Sequence, residues 1–228
     1  MKKVVIFGVA ILLILSLAAC LVPKEPNPAE MPRTSPDYNK TDVISLSTYE
    51  LDSTKTDQEN LVSGNSAFAL NLYQALIKDP ENLEQNLFLS PYSISLALAM
   101  TYAGARNETE HQMAQTMNFI LPQDRLHPAF HSLNTELNSR IQDAQSIVGN
   151  LFRLDIANAI WGQQGYSFLP EFIDLLTTNY KTGIRTVDFI NAPENSRLTI
   201  NNWISDQTED RIKDVIPSAA IDSSVSSG

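Results

Sequence analysis

The sequence predicts an α+β domain, and three observations predict it. Apolar residues recur at helical spacing through most of the region between residues 65 and 204. Three short stretches, 86–89, 153–161 and 184–189, instead read as strand. Proline stands at helix-opening positions in Ser90-Pro91, His127-Pro128 and Leu169-Pro170, where its missing amide hydrogen costs nothing. Nothing repeats internally, which excludes a solenoid.

The chain opens with an export signal. Lys2 and Lys3 precede an apolar run from Val4 to Leu17, broken only by Gly8 and Ser16 and too short for a comfortable membrane span. Leu17-Ala18-Ala19-Cys20 closes it and resembles a bacterial lipobox, so residues 1–19 are read as a lipoprotein signal peptide and Cys20 as the lipidated residue. The implied location is a cell-surface or periplasmic protein anchored to the membrane through its N-terminal lipid. Plain secretion is the alternative. Cys20 is the sole cysteine, so no intramolecular disulfide can form. Residues 20–60 carry Pro23, Pro26, Pro28, Pro32 and Pro36 in a polar background and read as a tether; a weak alternation over 42–51 is a poor strand signal.

A folded region is expected over residues 61–222. Phe68, Leu72, Ala75 and Leu76 predict a helix over 65–78, ended by Asp79-Pro80. After the short apolar run 86–89, Ser90 caps a helix that is apolar nearly all round, from Ile94 to Ala103, and Gly104 is placed to close it in a left-handed conformation. Thr109 and Gln112 fit a capping box for a third helix ending near Leu121-Pro122. A fourth begins at His127-Pro128 and presents Phe130, Leu133, Leu137 and Ile141 on one face. Over 153–161 the period changes, with Ile156, Asn158 and Ile160 facing one way and Ala157, Ala159 and Trp161 the other. Gly162 and Gly165 bracket the next turn. Leu169-Pro170 opens a helix holding Phe172, Ile173, Leu175 and Leu176, which ends around residues 181–183. A strand over 184–189 follows, then a helix capped by Ser196 with Ile200, Trp203 and Ile204 at i, i+3, i+4 spacing. Residues 223–228 form a Ser/Gly tail without apolar pattern.

Composition excludes several function classes. The net charge of −10, from 16 basic and 26 acidic residues, opposes binding to nucleic acid. His127 and His131 stand at i, i+4, but no cysteine or HExxH-type glutamate accompanies them, so no metal is assigned and the histidines read as surface residues. No G-x-S-x-G elbow and no phosphate-binding glycine loop occurs. Asp206, Glu209 and Asp210 read as a solvated face. Asn39-Lys40-Thr41 and Asn107-Glu108-Thr109 match glycosylation acceptors, to which a lipobox route gives no meaning. The chain is read as a non-enzyme without cofactors.

Residues 86–94, with Ser90-Pro91-Tyr92-Ser93-Ile94, and then Gly104-Ala105-Arg106-Asn107-Glu108-Thr109, resemble the serpin family at the start of its helices B and C. Ala157-Asn158-Ala159-Ile160-Trp161, Val187-Asp188-Phe189, Ile200-Asn201-Asn202-Trp203 and Ile212-Lys213-Asp214-Val215-Ile216 are similar to further serpin blocks, in family order and spacing. The resemblance implies the N-terminal half of a serpin fold, helices A to F with strands 1 and 2 of sheet A. It places Ser90, Ser93 and Asn158 in the shutter region beneath that sheet, and Trp203 on the helix that crosses it.

The family's activity is implied with it: inhibition of a serine (or cysteine) protease through a bait loop that is cut and inserts as a new strand. That loop lies in a part of the family domain beyond the matched blocks, so the chain is expected to be inactive alone, with a serine-type protease as partner of the full-length protein. A non-inhibitory, surface-anchored binding or scaffold protein is the alternative function.

Overall fold

The computed structural model describes residues 4–13, 56–79, 87–148 and 152–221. Cys20, nearly all of the Pro-rich segment and the Ser/Gly tail lie outside the described residues, as does the weak strand signal over 42–51.

Thr56 opens the first helix. Its hydroxyl accepts the Glu59 N–H, and the Glu59 carboxylate accepts the Thr56 N–H, so a complete capping box starts α1 (Asp57–Lys78) well before the apolar periodicity becomes evident. The short apolar run over residues 87–89 forms no strand, and Phe88 is exposed. Ser90 caps α2 (Pro91–Tyr102), with Pro91 in its first turn. Leu96, Ala97, Ala99, Met100 and Tyr102 are all buried, because α2 lies between α1 on one side and the sheet on the other.

Gly104 does not take the left-handed backbone expected of it, and Ala103 ends α2 in right-handed geometry. The capping box at Thr109 and Gln112 does not form either. The turn after α2 is so short that α3 (Asn107–Met117) has already begun at Asn107. Arg106 fastens this turn by donating to the Ala103 and Ala105 carbonyls. Gln112 donates instead to Glu108, one turn earlier. Asn118 closes α3 with φ 54°. Helix α4 (Gln123–Val148) starts a turn before the expected Pro128, which sits inside it near its start. Leu61, Phe68, Leu96, Phe119, Leu121, Leu126 and Phe130 close the core between α1, α2, α3 and α4. Burying a ring such as that of Phe130, wholly inaccessible here, contributes about 2–3 kcal/mol.

The sheet is ordered β1-β2-β3, with both pairings parallel. β2 (Phe152–Gln163) is its middle strand. β1 is the backbone of Val4–Leu13, the same run that reads as the apolar core of an export signal, and it is aligned from Val4 opposite Phe152 to Leu13 opposite Trp161. Val4, Val5, Ile6, Val9 and Ile11 suit extended backbone as readily as an apolar helix, and the edge of β2 offers unpaired backbone groups. Helix α5 (Pro170–Tyr180) carries the crossover from β2 to β3 (Ile184–Val187), as parallel neighbours require. Lys181 (φ 55°), rather than Gly183, supplies the left-handed residue that ends α5.

Helix α6 (Pro193–Gln207) begins at Pro193, so Ser196 is an interior residue rather than a cap, and its hydroxyl donates to the Ala192 carbonyl at 3.0 Å. Asp188 causes this early start: its carboxylate accepts from the Asn191 backbone and side chain and turns the chain directly into the helix.

Candidate functional site

Alternation along β2 gives the site its geometry. Ala159 and Trp161 face a cluster with Val187, Phe189, Ile200 and Ile204, which is the side covered by α6. Ile160 faces the opposite way, toward Ala97 and Met100 of α2 and Leu176 of α5. The sheet therefore has α6 on one face and α2, α4 and α5 on the other.

On the α2 side, the Ser90 hydroxyl donates to Ser93 Oγ at 2.9 Å while accepting the Ser93 N–H at 3.4 Å. Ser93 is 1% exposed, so this pair is a buried polar knot at the foot of α2. Ser95, also buried, donates to Asn65 of α1. The first pair thus caps α2, and the Ser95 hydroxyl ties α2 to α1. His127 is engaged with Tyr180 and His131 with the Asn179 carbonyl, so among the described residues no histidine is paired with these serines as nucleophilic catalysis would need.

Asn158 lies with Ile156 along a cavity of about 500 Å³ between α2, α4, β2 and the end of α5. Trp203 is on the other face of the sheet. Its ring meets Trp161 edge to face at 5.9 Å, and the Arg185 guanidinium stands 5.1 Å and 5.8 Å from the two ring centres. Ser90, Ser93 and Asn158 therefore share the side of the sheet that α2 covers, and Trp203 does not join them.

Two buried polar joints escape a sequence reading. His127 is buried at 1% exposure instead of lying on a solvated face, with Nδ1 2.6 Å from the Tyr180 hydroxyl and Nε2 without a partner. Either direction of this bond leaves one buried donor unpartnered, the Nε2–H when Tyr180 donates to Nδ1 and the Tyr180 O–H when Nδ1 donates to it. Burial, aided by the nearby Arg106 charge, pushes His127 down to about 4. Burial likewise pushes the Tyr180 phenol up. The one sequence signal is that His127 stands three residues before Phe130, hence on its face. The second position is Asn201, whose amide accepts the Ile216 N–H at 3.0 Å and donates to the Ile216 carbonyl at 2.9 Å. Arg197 donates to the same carbonyl at 2.9 Å, and together they clamp the segment after α6 onto that helix.

Comparison with known proteins places this geometry. The family described as "Serpin (serine protease inhibitor)" matches residues 63–226. Leukocyte elastase inhibitors of Sus scrofa and Homo sapiens are both 38% identical, over 165 and 164 residues. Each match takes in 72% of this chain, and 41% and 40% of the respective relative. An uncharacterised serpin-like protein of Methanosarcina mazei is 33% identical over 162 residues, 36% of its length. Among solved structures, a cleaved Serpin 42Da superposes with a TM-score of 0.59 at 26% identity, over 74% of this chain and 41% of that one. Emu ovalbumin, at 21% identity and a TM-score of 0.57, shares the fold. The chain thus spans about two fifths of the length of these relatives. With a family match over residues 63–226, most of its length, the chain belongs to the serpin family.

Proposed function

We propose that this chain is the N-terminal part of a serpin-type inhibitor of serine proteases, exported and held at the membrane by a lipid on Cys20. The match to serpins over residues 63–226, with relatives named as inhibitors of leukocyte elastase, carries the inhibitory reading. The contribution of this part is mechanical. Lipid attachment at Cys20 entails cleavage before it, which would remove residues 1–19 and β1 with them; the remainder supplies β2 and β3, the α2 helix beneath them with its Ser90–Ser93 knot, and α6 across the other face. In the full-length protein a bait loop outside these residues would be cleaved by the protease. The scissile carbonyl carbon would stay bound to the protease serine as an ester, the amine would leave, and the loop would add a strand to the sheet. The chain itself supplies no catalytic group to that step.

The test uses native protein purified from cell membranes. Intact mass is expected to show a diacylglyceryl-type addition at Cys20, and an unmodified Cys20 overturns the lipid anchor. Incubation with leukocyte elastase is expected to give a complex that survives boiling in detergent, whereas full retention of protease activity refutes inhibition. The isolated 228-residue chain is expected to give no such complex. An adduct containing it would show that the trapping segment lies within these residues.

A further inference from the structure

β1 and the apolar core of the export signal are one run of residues, Val4–Leu13. The run is held in register. Consecutive positions pair in parallel with β2, from Val4 opposite Phe152 to Leu13 opposite Trp161, and α2 packs against β1 as well as against β2. The place it fills is one that β2 needs filled. Ala159 and Trp161 are buried toward α6 and Ile160 toward α2 and α5, so β2 has the character of an inner strand. Residues 156–163 carry none of the charges or prolines that blunt an exposed edge. On its other side β2 meets β3 only from Ile160 to Gln163. Without β1, the backbone groups along one whole edge of β2 would lack a partner. The other apolar surrounding open to such a run is a lipid bilayer. There it must be helical, since a lone segment satisfies its backbone groups in lipid only as a helix. Strand in the sheet and helix in the bilayer exclude each other.

We propose that β1 is a mask acting in cis. When the unprocessed chain folds, pairing with β2 withdraws the export run from the bilayer, so the fold and the membrane compete for the same residues. Folding first hides the signal; membrane engagement first leaves β2 with an open edge. The inference rests on the reading of residues 1–19 as an export signal.

Two measurements on the 228-residue chain test it. In a Cys20→Ser background, Val9→Cys with Ala157→Cys is expected to oxidise to an intramolecular disulfide, because directly paired positions share a face of the sheet. Ala10→Cys with Ala157→Cys is one position out of register, on opposite faces, and is expected to keep both thiols. Equal oxidation of the two pairs, or oxidation of neither, overturns the proposal. The second measurement is flotation with vesicles of phosphatidylethanolamine and phosphatidylglycerol. The folded chain is expected to stay unbound, with or without the disulfide. Val5→Pro with Ile6→Pro removes two successive amide donors, one of which faces β2 whichever way the alternation falls, and keeps the run apolar. It is expected to raise the vesicle-bound fraction about tenfold, from the pairing lost, at an unchanged helical signal in circular dichroism. Binding of the unaltered folded chain as strong as that of the proline variant overturns the proposal. If the proline variant fails to fold, the two cysteine pairs still decide. An uncleaved N-terminus in the native protein would overturn the export reading and leave the pairing intact, whereas a missing disulfide would overturn the mask alone.

Discussion

Acidification offers a sharp test of the packing between α4 and α5. His127 has an ordinary value of 6.5 and is held at about 4 in the folded chain, chiefly by burial. Among the described residues its neighbours across the packed interface offer no compensating anion: Tyr180 from α5, Tyr102 from α2, and the cationic Arg106 before α3. The folded state therefore prefers the neutral ring, and the unfolded chain takes up the proton first. Stability is unaffected well above pH 6.5, shrinks as pH falls from 6.5 toward 4, and loses nothing further from this group below 4. The full displacement is worth about 3 kcal/mol, of which about 2 kcal/mol is gone by pH 5.

Urea unfolding followed by far-ultraviolet circular dichroism at pH 7.5 and pH 5 measures this directly. His127→Phe removes the titrating ring while keeping an aromatic of similar bulk against Phe130 and Tyr180. Its stability is expected to be nearly flat across the same interval. Asp57, Glu136, Asp188, Glu194 and Asp210, all held below the usual carboxylate range by hydrogen-bonding partners, weaken the fold only at still lower pH, so the two windows separate. Equal pH slopes for the wild type and His127→Phe would refute the assignment, whatever their absolute stabilities.

Two further perturbations test other joints of the fold. A methyl group at Gly64 would stand 2.3 Å from the Asn118 carbonyl oxygen, a backbone atom at the end of α3, so Gly64→Ala is expected to destabilise by about 2 kcal/mol. Its melting temperature should fall by about 4–8 °C; an unchanged one would mean that α1 and α3 do not meet at this distance. Asn201→Ala removes both hydrogen bonds to Ile216, at an expected cost of about 2–3 kcal/mol. Trypsin should then cut faster after Arg211 and Lys213, with Asn201→Asp intermediate because it keeps the acceptor; equal digestion rates would show that the clamp holds nothing.

Local signals in the sequence were enough for some elements and insufficient for others. Helices α2 and α5 start at their Pro91 and Pro170 because proline and the residue before it fix the backbone without help from elsewhere. The apolar character of α2 likewise told of its place between other layers. Helices α1, α4 and α6 each start earlier than their apolar repeats predict. At α1 the Thr56 to Glu59 box stands in a polar stretch, whereas apolar periodicity begins only near Asn65. At α4 and α6, Pro122 and Asp188 arrange the entry, and both precede the first apolar repeat.

The site divides along the same line. A serine before a proline announces a cap, so the role of Ser90 at the foot of α2 was readable, whereas its partner's burial came only with the layers around it. His127 and Tyr180 are 53 residues apart and Asn201 meets a backbone beyond its own helix, pairings that no local pattern encodes. The cavity is less legible still, since four separate elements make its walls.

The contact between Trp161 and Trp203 has an optical consequence. They are the only two tryptophans in the chain and they touch each other, with one guanidinium stacked on both. Intrinsic emission excited at the red edge of the absorption band therefore comes from a single place, the seam between α6 and the sheet. If that seam opens, the two indoles separate, exchange excitation less efficiently and shift together toward the red. Melting confined to the α1 to α4 cluster would leave the spectrum nearly unmoved, so fluorescence and dichroism that disagree would show the two clusters unfolding as separate units.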